Sequence, residues 1–342
     1  MKQLWYINKD AKTVRERVEL RDVPVPELAS DFDVKVKLAY AALCATDVHM
    51  MTQGVFGAEP PMPLGHEGAG TVVEAGPRAA AFGFAPGDRV TLLPHGSCGM
   101  CPMCKRGLRQ YCRMAHPTSA FAEYLVTDVS AVFKIPGDGD LKNYTLTEPT
   151  GCTVRAMDLT PIPHGATVCV AGIGGIGSIL LNQVILSGAS QITAIDPVPE
   201  KRRLALEMGA QYAIDPFGED VKARAMEITD GFGYDIVFEA SGSPKAARTP
   251  LDILAQCGTA SYFAVFPPDF DFPVNLYDLF MKEGRIQTVF FDPTNQPRTI
   301  SLIPRLQTDK IIGKIMPLSD AAEALELFEQ SIYPKILLDC AM

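Results

Sequence analysis

Residues 167–177 read Thr167-Val-Cys-Val-Ala-Gly172-Ile-Gly174-Gly-Ile-Gly177, and the chain continues to Gln191-Ile-Thr-Ala-Ile-Asp196. Thr167-Val-Cys-Val-Ala has the small and β-branched residues of a short buried strand. The glycines then form Gly-x-Gly-x-x-Gly, and Ile176, Ile179, Leu180 and Val184 recur at helical spacing. A second short strand ends on an acid about 20 residues after the turn, which completes a strand, turn, helix and strand of the dinucleotide-binding kind. Each glycine has a separate task in such a unit. Gly172 permits the tight turn, Gly174 lets the backbone approach a pyrophosphate, and Gly177 allows close helix-to-strand packing, while Gly175 and Ile176 open a helix whose N–H groups face the anion.

Asp196 bears on the choice of cofactor. A carboxylate at this place accepts hydrogen bonds from the adenosine ribose hydroxyls and repels the extra phosphate of NADP, so NAD is favoured. Lys201, Arg202 and Arg203 follow on a predicted helix, Pro199 to Met208. Solvated charge is the simpler reading of these three, with Lys201 kept as a candidate cofactor contact. Residues 165–195 contain no charged side chain, and length alone would suggest a membrane span. Clustered glycines and the interruption by Asn182 and Gln183 argue instead for a buried strand-turn-helix-strand unit.

Outward from this unit, Tyr234-Asp-Ile-Val-Phe-Glu-Ala-Ser-Gly and Gly258-Thr-Ala-Ser-Tyr-Phe-Ala read as further short strands separated by helical segments. Such alternation implies a parallel, doubly wound sheet. The first 150 or so residues differ: runs such as Asp33-Val-Lys-Val-Lys-Leu and Gly70-Thr-Val-Val-Glu are broken by Gly, Pro and Asp, an antiparallel β pattern. The expected organisation is a β-rich catalytic domain over 1–152, a dinucleotide-binding domain over 153–289, and a return to the first domain over 290–342.

The 342 residues are 47% hydrophobic and carry a formal charge of -9. That charge argues against nucleic acid or an anionic membrane as a partner, since either would favour a basic face. The N-terminus is charged within ten residues and lacks the apolar core of a secretory signal, so a cytoplasmic location is expected.

Cys98-Gly-Met-Cys101-Pro-Met-Cys104, followed by Cys112, places four thiols at the spacing of a closed tetrahedral zinc shell within residues 98–112. Cys44 in Cys-Ala-Thr-Asp-Val-His and the pair His66-Glu67 form a second, mixed ligand set. An all-thiolate shell leaves no position for substrate, whereas mixed sets commonly do; two zinc ions per chain are expected, one structural and one catalytic. Of the nine cysteines, Cys152, Cys169, Cys257 and Cys340 remain as reduced thiols.

Taken with Gly65-His-Glu-Gly68, Pro86-Gly-Asp-Arg-Val90, Phe121-Ala-Glu-Tyr124, Glu148-Pro149 and Lys310-Ile-Ile-Gly-Lys-Ile-Met-Pro-Leu, these motifs make the chain resemble the zinc-dependent medium-chain dehydrogenases along nearly its whole length. That family includes alcohol, sorbitol and threonine dehydrogenases. The resemblance implies an α/β protein, with a β-rich GroES-like catalytic domain and a Rossmann cofactor domain. It implies that Cys44 and His66 bind the catalytic zinc, with Glu67 as an additional or alternating ligand. Glu148 stands where alcohol dehydrogenases carry cysteine and sorbitol-like or threonine-like members carry a glutamate that binds the metal or holds its water. Asp47 matches the acid that orients the histidine ligand. Thr46 matches the hydroxyl that touches the substrate oxygen, and His49 either relays the proton or is an ordinary polar histidine.

The reaction so implied is hydride transfer between NAD(H) and a secondary alcohol or polyol and its ketone. The expected partners are a small-molecule substrate and other copies of the chain, as homodimer or homotetramer. A bulky-alcohol or hydroxysteroid dehydrogenase, a redox-sensing zinc and NAD protein, and a zinc-free reductase are the alternatives. Retention of both ligand sets favours the zinc enzyme. Met50, Met51, Phe56 and Phe121 are candidates to line an apolar cleft, with core packing the simpler reading for any one of them.

Overall fold

The structure, a computed structural model, describes residues 1–115, 117–137, 139–291 and 295–342. The chain forms two compact units, one of Met1–Gly151, Asp292–Thr308 and Ile312–Met342, the other of Cys152–Phe291 and Asp309–Ile311.

The first unit begins with β1 (Lys2–Tyr6), β2 (Val18–Asp22), β3 (Asp33–Ala42), β4 (Met62–Pro63), β5 (Glu67–Ala75), β6 (Arg89–Leu92), β7 (Tyr124–Asp128) and β8 (Val132–Lys134). The second unit supplies β9 (Thr167–Ala171), β10 (Gln191–Ile195), β11 (Tyr212–Ile214), β12 (Tyr234–Glu239), β13 (Leu254–Tyr262) and β14 (Arg285–Thr288). The chain then contributes β15 (Ile312–Pro317) and β16 (Lys335–Asp339) to the first unit.

In the first unit the main sheet runs β15-β16-β3-β5-β6-β8, with β7 also paired to β3. Its central strand β3 pairs antiparallel with β16, β5 and β7. Val34, Val36 and Leu38 point into the core while Lys35 and Lys37 alternate with them, the period of two that a half-buried strand requires. Met51 and Phe121 belong to this core, 2% and 0% exposed, so neither lines an open cleft; Phe56 is 64% exposed.

In the second unit all ladders are parallel, in the order β11-β10-β9-β12-β13-β14. The chain winds from β9 through β10 to β11, then crosses back to β12 on the other side of β9. Doubly wound sheets bind ligands outside the carboxyl ends of the strands at such a switch point. The helix Gly175–Leu186 between β9 and β10 is buried at every residue from Gly177 to Val184, not along one stripe alone. A helix buried all round reads as uniformly apolar, which explains the uncharged stretch. Among the described residues no helix is long and apolar enough to cross a membrane.

Candidate metal centres and dinucleotide turn

Cys44 caps the helix Ala45–Gln53 just past the end of β3, and His66 and Glu67 lie at the start of β5. Ala42 pairs with Glu67 across the β3–β5 ladder, which brings the two segments together. Asp47, 1% exposed, then ties them: Cys44 N–H donates to Oδ2 at 3.0 Å, and His66 Nδ1 lies 3.1 Å from Oδ1. With Nδ1 engaged by the carboxylate, Nε2 is the nitrogen left for a metal. Burial pulls the His66 pKa down, but Asp47 and Cys44 outweigh it and hold it well above the ordinary value. The far end of the same helix is anchored by Tyr6 and Arg17, both donating to the Met51 carbonyl, where a cation also suits the helix C-terminus.

The ligand atoms of Cys44, His66 and Glu67 all lie within 4.8 Å of one another. Glu67 is fully buried, and both its oxygens accept from Lys335 Nζ, at 2.5 and 2.6 Å. Lys335 Nζ also donates to the Leu43 carbonyl at 3.0 Å. Burial alone would lower the Lys335 pKa; the Glu67 carboxylate and the Cys44 thiol raise it above the ordinary lysine value, so the ammonium is kept. Glu148, in the first turn of the helix Thr147–Leu159, is 6% exposed. It is not in the cluster of Cys44, His66 and Glu67, yet its charge acts on Lys335. Thr46 and His49 are half-buried and three residues apart on the helix Ala45–Gln53, hence on one side of it. Burial lowers the His49 pKa.

Lys335 did not emerge from the sequence. Its one signal there is a lysine opening the apolar run Lys335-Ile-Leu-Leu. A charge so placed is rarely buried without a partner, and the partner lies 268 residues upstream.

The four remaining zinc-type thiols also converge. Cys98, Cys101, Cys104 and Cys112 offer sulfurs all within 4.8 Å of one another, with Cys98 Sγ 3.6 Å from Cys112 Sγ and 4.0 Å from Cys104 Sγ. A tetrahedral zinc with Zn–S bonds of about 2.3 Å needs sulfurs roughly 3.8 Å apart, so this set fits zinc. The Cys101 pKa is pulled down to about 6, chiefly by the Cys104 backbone N–H, which favours the thiolate a metal requires. The Cys44 and His66 donors, with carboxylates beside them, fit zinc as well.

In the second unit the glycine turn is sterically obligatory. Gly172 has φ 93°, and a Cβ there would stand 2.6 Å from the Ser241 amide nitrogen. A Cβ on Gly177 would stand 1.7 Å from the Gly172 carbonyl oxygen. At Gly174, by contrast, no described atom other than those of its chain neighbours lies within 4 Å of where a Cβ would be. That open space faces the N-terminus of the helix Gly175–Leu186, where first-turn N–H groups lack intrahelical partners, and it suits a dinucleotide pyrophosphate.

Asp196 is 4% exposed and is fixed to the turn itself: Ile173 N–H donates to Oδ2 and Val198 N–H to Oδ1, each at 2.8 Å. Each carboxylate oxygen retains acceptor capacity for a hydroxyl. The helix Pro199–Met208 forms where its sequence pattern predicts it, but the reading of its charges as solvated is corrected for two of the three. Lys201 shares the buried face with Ala205 and Met208, and burial lowers its pKa against the opposing charge of Asp196. Arg202 turns back on the strand ends, donating to the Asp196 and Pro197 carbonyls at 2.7 and 2.8 Å and to Asp215 at 2.8 Å. Arg203 alone of the three is exposed.

Residues 30–137 match the alcohol dehydrogenase GroES-like domain and residues 175–306 the zinc-binding dehydrogenase domain. The L-threonine 3-dehydrogenase of Pyrococcus furiosus is 35% identical over 257 residues, 73% of each chain. The sorbitol dehydrogenase of Halalkalibacterium halodurans is 34% identical over 259 residues, 73% of this chain and 74% of that one. A Sinorhizobium meliloti chain, classed as a zinc-binding dehydrogenase and solved with NADP, superposes with a TM-score of 0.89 at 29% identity, covering 99% of this chain and 100% of that one.

Proposed function

The chain belongs to the zinc-dependent medium-chain dehydrogenases, and from that premise we propose that it interconverts a secondary alcohol or polyol and the corresponding ketone, with NAD as the hydride carrier and two zinc ions per chain. The observation that carries this reading is the single carboxylate of Asp47, which holds Cys44 and His66 together beside the buried acid Glu67. Zinc bound there would act as a Lewis acid that brings an alcohol hydroxyl toward a pKa of roughly 7, and the nicotinamide would accept the hydride.

The protein's own residues have the remaining tasks. Cys44 and His66 would hold the metal, and Asp47 sets the imidazole tautomer. Glu148 supplies a carboxylate in place of the thiolate of primary-alcohol enzymes, directly or through water. Thr46 would hydrogen-bond the substrate hydroxyl and, as it takes that proton, release its own, and His49, which burial keeps neutral at pH 7, would accept the released proton and pass it outward. Lys335 balances Glu67, so that the buried acids near the metal are not left uncompensated. The hydroxyl at carbon 3 of threonine is a secondary alcohol and sorbitol is a polyol, which supports the substrate class. Asp196 supports NAD over the NADP found in the Sinorhizobium chain.

We also propose a homodimer or homotetramer in a reducing compartment such as the cytoplasm. Leu276, Tyr277, Phe280 and Met281 are all more than half exposed on one short helix that precedes the edge strand β14. Light scattering tests the assembly.

The reaction is tested by incubating zinc-loaded protein and NAD with secondary alcohols, polyols, hydroxy amino acids and hydroxysteroids while following absorbance of the reduced nicotinamide. Turnover of a secondary alcohol or polyol is expected. Binding of NADH without turnover of any of these would refute the enzyme reading in favour of a sensor.

A further inference from the structure

Ile195 and Ile214 are paired across the β10–β11 ladder, so Asp196 and Asp215, the residues that follow them, stand level at the carboxyl ends of neighbouring strands. Arg202 bridges the two. Its Nη1 donates to the backbone carbonyls of Asp196 and Pro197, and its Nη2 donates to Asp215 Oδ2 at 2.8 Å. The two side chains are only 18% and 30% exposed. Asp215 is itself held in place, its Oδ1 accepting from Phe217 N–H at 3.0 Å and its own N–H donating to Glu219 at 2.8 Å.

A guanidinium beside the ribose-binding acid is what a dinucleotide site uses to take the 2′-phosphate of NADP. Its planar fork matches phosphate oxygens two at a time, and the carbonyls of Asp196 and Pro197 already fix it there. Only the second arm of the fork is committed to a carboxylate. Asp196, Asp215, Lys201 and Arg202 sum to no net charge, which offers nothing to a group carrying about two negative charges. Of the other charges nearby, Glu200 in the same helix turn adds a further negative charge, while Arg203 pairs with Glu207 and Arg224 with Glu219 and Glu227.

We propose that Asp215 is a specificity-determining residue, which by engaging Arg202 withholds a preplaced phosphate-binding guanidinium and so adds to Asp196 as a second barrier against NADP. The proposal rests on the reading that Asp196 faces the adenosine ribose. Loss of Asp196 removes repulsion and leaves the local sum at one positive charge; loss of Asp215 as well frees the Nη2 arm and leaves two.

The test is fluorescence titration of zinc-loaded protein with NADH and with NADPH, so that dissociation constants are read without turnover. Asp196→Ser should raise NADPH affinity relative to NADH. Asp196→Ser with Asp215→Ala should raise that ratio about tenfold further, the order of one charge-assisted phosphate contact. Adding Arg202→Gln to the double variant should return the ratio to that of Asp196→Ser alone. Asp215→Asn, which keeps the side-chain shape, is measured in parallel and should shift the ratio in the same direction; it decides the matter if the alanine variant does not fold. An unchanged ratio in Asp196→Ser would overturn the ribose reading and this proposal with it. A shift in Asp196→Ser with no further gain from either Asp215 change, or a gain that survives Arg202→Gln, would overturn the role of Asp215 alone.

Discussion

Replacing Lys335 by Met removes the counter-charge from a carboxylate that has no water to replace it. Glu67 is 0% and Lys335 2% exposed, and the ammonium also serves the Leu43 carbonyl. Removing one partner of such a pair costs about 3–5 kcal/mol, most of it from the charge left behind. The methionine fills most of the lysine stem's volume, so cavity formation adds little. At roughly 2–4 °C per kcal/mol for a unit of this size, the zinc-loaded variant should melt about 6–20 °C below the parent. Thermal unfolding followed by circular dichroism reads the shift. The partner variant Glu67→Gln, and the two together, complete a double-mutant cycle. The double variant, with no buried charge left at the pair, should recover much of the loss and give a coupling energy above about 2 kcal/mol. If Lys335→Met unfolds within about 1 kcal/mol of the parent, or the two changes simply add, the ion pair is not what holds β16 to the start of β5 and the argument from burial is wrong.

Three further outcomes are expected. Cys44→Ala should lower the metal content from two zinc ions per chain to one and abolish turnover while leaving the fold, whereas Cys101→Ala should lower the melting temperature; full activity with one zinc or none would refute the two-site reading. Glu148→Gln should reduce kcat far more than it weakens NADH binding, and unchanged kcat on the best secondary alcohol would remove Glu148 from the metal site. Glu239, buried at the end of β12, has its pKa raised by burial despite donors from Ser241 and Gly242. Its folded form therefore holds its proton to a higher pH than the unfolded chain does, and its contribution to stability is lost as pH rises from the ordinary carboxylate value toward the raised one. Glu239→Gln should flatten the urea-unfolding free energy across that window, and an identical slope in parent and variant would count against it.

What could be read along the chain was whatever local spacing encodes. The glycine turn, the strands Thr167–Ala171 and Gln191–Ile195 and the helix Pro199–Met208 follow from side-chain periodicity and from steric demands within a few residues. The four-cysteine lobe was legible for the same reason, since its ligands span only residues 98–112 and its sulfurs converge without help from distant strands. Cys44, His66, Asp47, Thr46, His49 and Glu148 entered as metal-type residues and as matches to a family. Only the antiparallel register of β3 and β5 brings the first two to one carboxylate.

Other features had no local trace. Which acid neutralises Lys335 depends on β16 lying beside β3 and β3 beside β5, an order set by the packing of a whole sheet. Likewise, whether Arg202 is solvated or bound depends on Asp215 coming level with Asp196 on the neighbouring strand. Periodicity specifies which face of an element is buried, because burial of apolar area acts residue by residue. It does not specify which buried charge meets which, because that pairing is decided by strand order and register between segments far apart in the chain.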